Sequence, residues 1–137
     1  MAFIDKTTEI AADIRLVYEA WTAFEDFPKF METVETVTLV QDDRLHWVAI
    51  IEDDTFEWDA DVVDHVLDEK VTWRAVDGRE TGEVRFEKLA AGTTKVTYQL
   101  EYDPAAWDGK PDTVRHWMNR RADHDLAAFK AMLEAVD

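Results

Sequence analysis

The sequence predicts an α+β protein in which a seven-stranded antiparallel sheet curves around a long C-terminal helix. Between residues 34 and 102, short runs alternate apolar and polar side chains and are separated by brief turns, which is typical of half-buried antiparallel strands. After residue 111, apolar side chains instead recur every three or four positions, which indicates one long amphipathic helix. A sheet with one apolar face needs a cover, and this helix can supply it.

The N-terminal segment supplies one strand and two helices. Residues 2–10 are consistent with an opening strand, and from Ala12 a helical period begins that is predicted to end near Thr22. Pro28 then permits only a short second helical turn, because proline suits a first turn and disrupts a helix interior. Phenylalanines recur at steps of three around Pro28, at positions 24, 27 and 30. Together with Met31, they are expected to close one end of the core.

Six strands are predicted between Val34 and Tyr102, because five turn signals divide this region. Those signals lie at 41–43, 53–54, 67–69, 77–79 and 91–93. The connections are too short for parallel crossovers, so the strands form an antiparallel meander. Three successive runs place a large ring among apolar neighbours of the same parity: Trp47, Trp58 and Trp73. The pattern leaves open whether the space behind these rings is a packed core or a ligand cavity.

The covering helix is predicted for residues 112–136, after a turn at 108–110 and Pro111 at a first helical position. About 24 residues at ~1.5 Å each reach roughly 36 Å, which is enough to cross the sheet. Trp117 and Arg121 lie at the border of its apolar stripe. The stripe itself consists of Val114, Met118, Ala122, Leu126, Phe129, Leu133 and Val136.

Composition excludes several classes of protein. Thirty-one acidic against 15 basic residues give a net charge of −16, which repels nucleic acid and anionic membranes. The absence of cysteine rules out disulfides, thiolate metal sites and cysteine nucleophiles. No apolar stretch reaches the ~18 residues of a membrane span, and the N-terminus does not resemble a signal peptide. We therefore expect one cytoplasmic domain, 1–137, that makes no stable membrane insertion and is a monomer or a homodimer.

The order of strand, helix, short helix, six strands and long helix resembles the START-like superfamily, also called SRPBCC, which has the helix-grip fold. The likeness is closest to bacterial polyketide cyclase/dehydrase-type proteins, also labelled coenzyme-Q-binding START-like proteins. An NTF2-like cone is the rival fold, but it places its helices before the strands. The matching segments span nearly the whole chain: Ala20-Trp21-Thr22, Phe24-Glu25-Asp26-Phe27-Pro28-Lys29-Phe30-Met31, Leu45-His46-Trp47-Val48-Ala49, Glu57-Trp58-Asp59-Ala60, Trp73-Arg74, Gly82-Glu83-Val84-Arg85-Phe86, Thr94-Lys95-Val96-Thr97, Asp125-Leu126 and Phe129-Lys130.

The resemblance implies an elongated cavity between sheet and helix for a lipid, a polyketide, a quinone or a similar molecule. It implies no shared catalytic residue, because fold analogy is a weak argument for activity. The link from Tyr102 to Pro111 is short, which argues against a long mobile gate, and Trp107 within it is expected against the cavity mouth.

Candidate ligand-binding residues are the large apolar, aromatic or cationic side chains of the predicted inner surface, since rigid rings offer contact area and N–H or O–H groups fix orientation. For each of them a purely structural packing role is the alternative. Arg121 must meet an anion, and with 31 acidic residues in the chain an internal salt bridge is the favoured partner. The candidates are Trp47, Trp58, Trp73, Tyr98, Trp117, Met118, Phe27, Phe30 and Arg121.

Neither a metal site nor a cofactor is expected, and no catalytic residue is assigned. His116 and His124 lie two helical turns apart, which is wider than the adjacent-turn spacing of helical metal sites. Glu57, Asp59 and Asp61 have the parity opposite to Trp58, so they are predicted on the outer face of the sheet. With the parity reversed, three carboxylates would line the cavity and an enzymatic role would gain support.

Three functions follow from these patterns. The first is non-catalytic binding or carriage of a small hydrophobic molecule in an internal cavity. The second is a cyclase- or dehydratase-like enzyme acting on an aromatic or polyketide precursor, with Tyr98, His116 or Arg121 as proton donor or oxyanion partner. The third is a protein interaction module with a filled cavity and an exposed apolar patch. The sequence favours the first.

Overall fold

The computed structural model of the protein describes residues 2–31, 33–51, 53–107 and 111–135. Helix α1 (Ile14–Thr22) and a 3₁₀ segment (Phe24–Lys29) follow the first strand, and a second 3₁₀ segment (Pro104–Ala106) precedes helix α2 (Pro111–Glu134). This order confirms the predicted one. The strands are β1 (Ala2–Ile10), β2 (Val34–Gln41), β3 (Arg44–Ile51), β4 (Asp54–Val66), β5 (Lys70–Ala75), β6 (Glu80–Ala90) and β7 (Thr93–Tyr102).

All seven strands form one antiparallel sheet in the order β1-β7-β6-β5-β4-β3-β2. β2 through β7 are a meander, as predicted, and β1 pairs with β7 so that β1 and β2 are the two edges. Register shifts interrupt the β2–β3, β4–β5 and β6–β7 pairings, and such irregularities bend and twist a sheet. The turns fall where they were predicted, except that the one at 108–110 lies outside the described residues, as does Val136 of the predicted helical stripe.

Helix α1 begins with a capped turn and buries one face. The Asp13 carboxylate accepts a hydrogen bond from the Arg15 backbone N–H at 3.2 Å, which satisfies a donor that has no partner within the helix. Val17, Tyr18 and Trp21 are the buried residues of α1. The 3₁₀ segment around Pro28 then closes one end of the core, as the spacing of its phenylalanines predicted.

Alternation along the strands places the tryptophans on the inner face. Trp47 on β3 lies directly opposite Trp58 on β4, and Trp73 on β5 lies opposite Gly82 on β6. A Cβ atom at Gly82 would overlap the Trp73 indole, so glycine is required at this position for the ring to lie flat across the neighbouring strand. The predicted stripe of α2 is buried against this face: Val114, Met118, Ala122, Leu126, Phe129 and Leu133.

The outer face of the same strands carries charged groups. Glu57, Asp59 and Asp61 lie there with side chains that are 60%, 42% and 40% exposed, which confirms the predicted parity. Arg44 pairs with Asp61 at 2.7 Å, and His46 lies between Asp59 at 2.8 Å and Glu57 at 3.1 Å. Over the described part of the chain, no helix is both long and apolar enough to cross a membrane.

Candidate ligand site in the aromatic interior

Trp21 is the centre of an aromatic cluster at the end of the core closed by Phe27 and Phe30. Its ring centroid lies 5.7 Å from that of Phe27, 5.6 Å from Phe30 and 4.8 Å from Phe129 on α2. On the sheet side it contacts Tyr98 at 5.4 Å. These are the tilted and edge-to-face arrangements that aromatic pairs prefer. Phe27 and Phe30 therefore pack in the core, where the sequence placed them.

A second aromatic cluster occupies the other half of the inner face. Trp47 and Trp58 stack with centroids 5.9 Å apart and an interplanar angle of 8°. Trp58 meets Trp107 edge-on at 5.0 Å, and Trp107 meets Trp117 of α2 at 5.3 Å. Trp107 was predicted against the mouth of a cavity, and it is in fact fully buried among these rings. The two clusters are joined through Phe27 and Trp47, whose centroids are 5.5 Å apart; together we call them the aromatic interior.

Most polar atoms of these rings have no protein partner. Trp117 is the exception, because its indole N–H donates to the Thr33 hydroxyl at 2.8 Å. Buried donors are normally satisfied, and each one left without an acceptor costs free energy. Among the aromatic side chains in the described part of the chain, six buried donors lack an acceptor: the indole N–H groups of Trp21, Trp47, Trp58, Trp73 and Trp107, and the Tyr98 hydroxyl.

A fully buried arginine lies between the rings. The Arg121 Nη1 donates to a Glu80 carboxylate oxygen at 2.7 Å, and its Nε lies 3.7 Å from an Asp125 oxygen. The guanidinium also lies over the faces of Trp117 and Trp47, at 5.1 and 5.9 Å from the ring centroids. This confirms the internal salt bridge predicted for Arg121. Its Nη2 has no hydrogen-bond partner among the described residues, so one donor edge of the guanidinium is uncommitted.

The charges of this cluster set the protonation of its members. Burial is the largest effect on Tyr98 and raises the pKa of its hydroxyl well above the ordinary range, although the nearby Arg121 opposes that rise. Burial by itself lowers the pKa of Arg121, but Glu80, Tyr98 and Asp125 outweigh it, so the pKa of Arg121 is raised. Tyr98 therefore stays protonated and Arg121 charged. Tyr98 can donate a hydrogen bond, but it is a poor general base.

A second arginine reaches the aromatic interior from the turn between β5 and β6. The Arg79 guanidinium lies 4.9 Å from the centroid of Trp107 and 5.6 Å from that of Trp58. Its Nη2 pairs with Asp77 at 2.8 Å, and its side chain is 17% exposed. Cations over tryptophan faces are favourable contacts, so Arg79 covers this side of the rings.

A cleft opens from the surface beside α2 toward Arg121. Its volume is about 110 Å³, which is below the ~300–1,000 Å³ of typical ligand pockets. We call it the α2 cleft, and it lies where α2 passes the start of β2 and the end of β3. It is lined by Thr33, Ile50, Ile51, Thr113, His116, Trp117, Arg120, Arg121, His124 and Asp125.

The structure brings all nine predicted binding residues into one connected core. Trp73 lies 6.2 Å from Tyr98 between centroids, and the Met118 sulfur is 3.6 Å from Arg121 Nη1. The other seven lie in the clusters described above. Sequence reasoning did not name Glu80 or Asp125 as site residues: Glu80 belongs to no motif, and Asp125 was quoted only within a segment that matches the family. It named Trp21 within a segment that matches the family but did not count it as a wall residue. Within the described residues, no group of three or more potential ligands could hold a metal ion.

A long helix gripped by a seven-stranded antiparallel sheet around an aromatic interior defines a START-like protein. Residues 10–130 match the family described as polyketide cyclase / dehydrase and lipid transport, and the chain belongs to this family. An uncharacterised 17.2 kDa protein from the melC2-rnhH intergenic region of Streptomyces lincolnensis is 31% identical over 136 residues, which are 98% of this chain and 91% of that protein.

Two solved structures show the same fold. A START superfamily protein from Mycobacterium smegmatis superposes with a TM-score of 0.82 at 13% identity, and the alignment covers 98% of this chain and 99% of that one. The Zhui aromatase/cyclase from a Streptomyces species superposes with a TM-score of 0.81 at 19% identity, over 97% of this chain and 93% of that one. The predicted family and helix-grip fold are thereby confirmed.

Proposed function

We propose that this protein binds and carries a small, flat hydrophobic molecule that bears hydrogen-bond acceptors, such as a quinone or a polyketide. The observation that carries the proposal is the set of six buried donors without protein acceptors in the aromatic interior. A purely structural core favours side chains without such groups, because an unsatisfied buried donor costs roughly 1–3 kcal/mol. A ligand with carbonyl oxygens would satisfy these donors while its rings stack on the indoles.

The aromatic interior has to open for this ligand to enter. The α2 cleft, at about 110 Å³, holds no more than a single ring, so a larger ligand must displace side chains. Trp58 and Trp107 are covered by Arg79, whose side chain is 17% exposed and pairs with Asp77 at the surface. Displacement of a partly exposed arginine is less costly than unpacking buried rings, so we place the opening at this turn.

Binding of matched ligands tests the proposal. 1,4-Naphthoquinone and naphthalene have the same ring system, and only the quinone offers acceptors. With no cysteine in the chain, the quinone meets no thiol to alkylate. We expect the quinone to bind about tenfold more tightly in native mass spectrometry and calorimetry, since a buried hydrogen bond contributes ~1 kcal/mol or more. A protein that excludes both ligands and every larger hydrophobic probe would have a solid core, and the proposal would fail.

The substitution Tyr98→Phe tests whether the Tyr98 hydroxyl binds ligand or stabilises the fold. Because the Tyr98 hydroxyl is buried without a hydrogen-bond partner, its removal should leave the free energy of unfolding unchanged or raise it by up to about 1 kcal/mol. Binding of naphthoquinone should weaken while binding of naphthalene does not. Tyr102→Phe is the matched control, since Tyr102 is also buried on β7 but is not among the unpartnered groups. A destabilised Tyr98→Phe protein would contradict the proposed role of this hydroxyl.

The second candidate function is cyclase-like catalysis, favoured by the proximity of Arg121 to the Tyr98 hydroxyl. A protonated Tyr98 and the uncommitted Arg121 Nη2 are two donors that can stabilise a developing enolate or alkoxide oxygen. The family description and the resemblance to the Zhui aromatase/cyclase support this reading. Incubation with a reactive poly-β-ketone tests it: cyclised product should form faster than without protein, and the rate should collapse in Tyr98→Phe. His116, the third residue considered for this role, lies at the α2 cleft.

A further inference from the structure

The lining of the α2 cleft does not share the acidic balance of the chain. The protein has 31 acidic against 15 basic residues, yet Arg120, His116 and His124 lie successive turns apart on one line of α2 that lines the cleft, beside Arg121. Asp125 is the only carboxylate among the described residues of the lining, and it lies 3.7 Å from the Arg121 Nε and 3.4 Å from the His124 Nδ1. The two arginines against this one carboxylate leave a small excess of positive charge, which in an otherwise acidic protein favours an anionic ligand at this place.

Arg121 offers that anion a buried donor. Its Nη1 is committed to Glu80 at 2.7 Å and its Nε faces Asp125 at 3.7 Å, while Nη2 has no hydrogen-bond partner among the described residues. Its side chain is 0% exposed. A charged donor that is left without an acceptor in a dry environment gains more from a carboxylate oxygen than from a neutral one, because charge-assisted hydrogen bonds are about twice as strong.

The remaining walls of the cleft suit one aromatic ring. Ile51 and Trp117 are both buried and supply an apolar edge and an indole face. The volume of about 110 Å³ is close to that of cavities of ~150 Å³ that accept benzene. We propose that the α2 cleft binds a small aromatic carboxylate, with the ring against Trp117 and Ile51 and the carboxylate toward Arg121 and the basic rim. This inference rests on the proposed function, because it names the class of ligand that enters beside the aromatic interior.

Three single-ring ligands of similar size, with negative, zero and positive charge, test the class: benzoate, benzamide and benzylamine. Calorimetry and saturation-transfer NMR on the full chain should show benzoate binding about tenfold more tightly than benzamide, and benzylamine binding more weakly than either. Arg120→Gln should weaken benzoate three- to tenfold and leave benzamide unchanged. Arg115→Gln is the matched control: it removes the same charge from the same helix, but Arg115 pairs with Asp112 at 3.1 Å outside the cleft lining.

Each remaining outcome overturns the inference. Equal affinities for benzoate and benzamide would show that the negative charge does not contribute to binding. A higher affinity for benzylamine would show that the cleft prefers cations. If naphthoquinone binds but no benzene derivative does, the proposed function stands and the aromatic carboxylate is wrong. If none of these ligands binds and every larger hydrophobic probe is excluded as well, both proposals fail together. An equal loss of benzoate affinity in Arg120→Gln and Arg115→Gln would show long-range charge only and no site.

Discussion

Arg121 keeps a full charge inside an apolar core because two carboxylates and two aromatic faces surround it. Glu80 makes the closest contact, at 2.7 Å, with both side chains essentially unexposed. Asp125 is farther away, and Trp47 and Trp117 supply only weak cation–π attraction. The pair with Glu80 therefore carries most of the compensation for burying the guanidinium.

We expect Glu80→Ala to lower the free energy of unfolding by about 3–5 kcal/mol, because it leaves a buried charge without its main partner. Asp61→Ala on the outer face should cost much less, since the Arg44–Asp61 pair has side chains 34% and 40% exposed and water replaces the lost partner. Urea unfolding of both variants measures the difference. Similar losses in the two would show that the Arg121 cluster is not the stabilising contact described here.

Gly82 is required by one ring. The Trp73 indole lies where a Cβ atom at position 82 would be, so Gly82→Ala should cost roughly 1–3 kcal/mol through overpacking. The double variant Gly82→Ala with Trp73→Leu should lose less than the sum of the two single changes, because the smaller side chain makes room for the methyl group. Urea midpoints of the four proteins give the coupling energy. Strict additivity would mean that the glycine is needed for another reason.

Strands β3 and β4 carry a cluster of three ionisable groups on their outer face that makes their pairing pH-dependent. His46 on β3 bonds to Asp59 and Glu57 on β4, and these hydrogen bonds raise the pKa of His46 above 6.5. A group whose pKa is raised on folding adds stability that is fully present below its unfolded pKa and is lost as the pH rises through its folded pKa. The stability that His46 contributes should therefore be lost as the pH rises through its raised pKa.

His46→Gln isolates this effect from the charge of the rest of the protein. The variant should be less stable than the natural chain at pH 5.5, and the gap should narrow or vanish by pH 9. Urea midpoints at both pH values measure it, and an NMR titration of the His46 ring reports its pKa directly. His65→Gln on the neighbouring strand β4 controls for the loss of a histidine elsewhere on the sheet. A stability difference that widens with pH would show that folding lowers the pKa of His46.

The elements were predictable from the sequence, and their pairwise contacts were not. Alternation placed Trp47 and Trp58 on one face of adjacent strands, and the change from a period of two to one near 3.6 located both helices. The partner of Arg121 is 41 residues away, and it was set by where α2 crosses the start of β6, which no local pattern encodes. Trp107 was predicted at the cavity mouth because it lies in a link, but its burial depends on three rings from two other elements, β4 and α2. The size of the α2 cleft likewise follows from packing alone.

The protein as a whole is strongly acidic, so we expect repulsion among its charges to exceed the attraction within its ion pairs. The net charge is −16, while most of the ion pairs in the described residues lie at the surface, where each contributes little. The Glu80–Arg121 pair is buried, so salt screens it weakly. Added salt should therefore relieve the repulsion without weakening the core.

We expect the melting temperature to rise by about 3–6 °C between 20 mM and 500 mM NaCl, as the Debye length falls from roughly 20 Å to about 4 Å. Differential scanning calorimetry measures the change. KCl at the same ionic strength should give the same rise, because screening depends on charge and not on the identity of the cation, and most of the rise should occur below about 150 mM. A fall in melting temperature with salt would mean that surface ion pairs such as Arg44–Asp61 outweigh the repulsion among the 31 acidic residues.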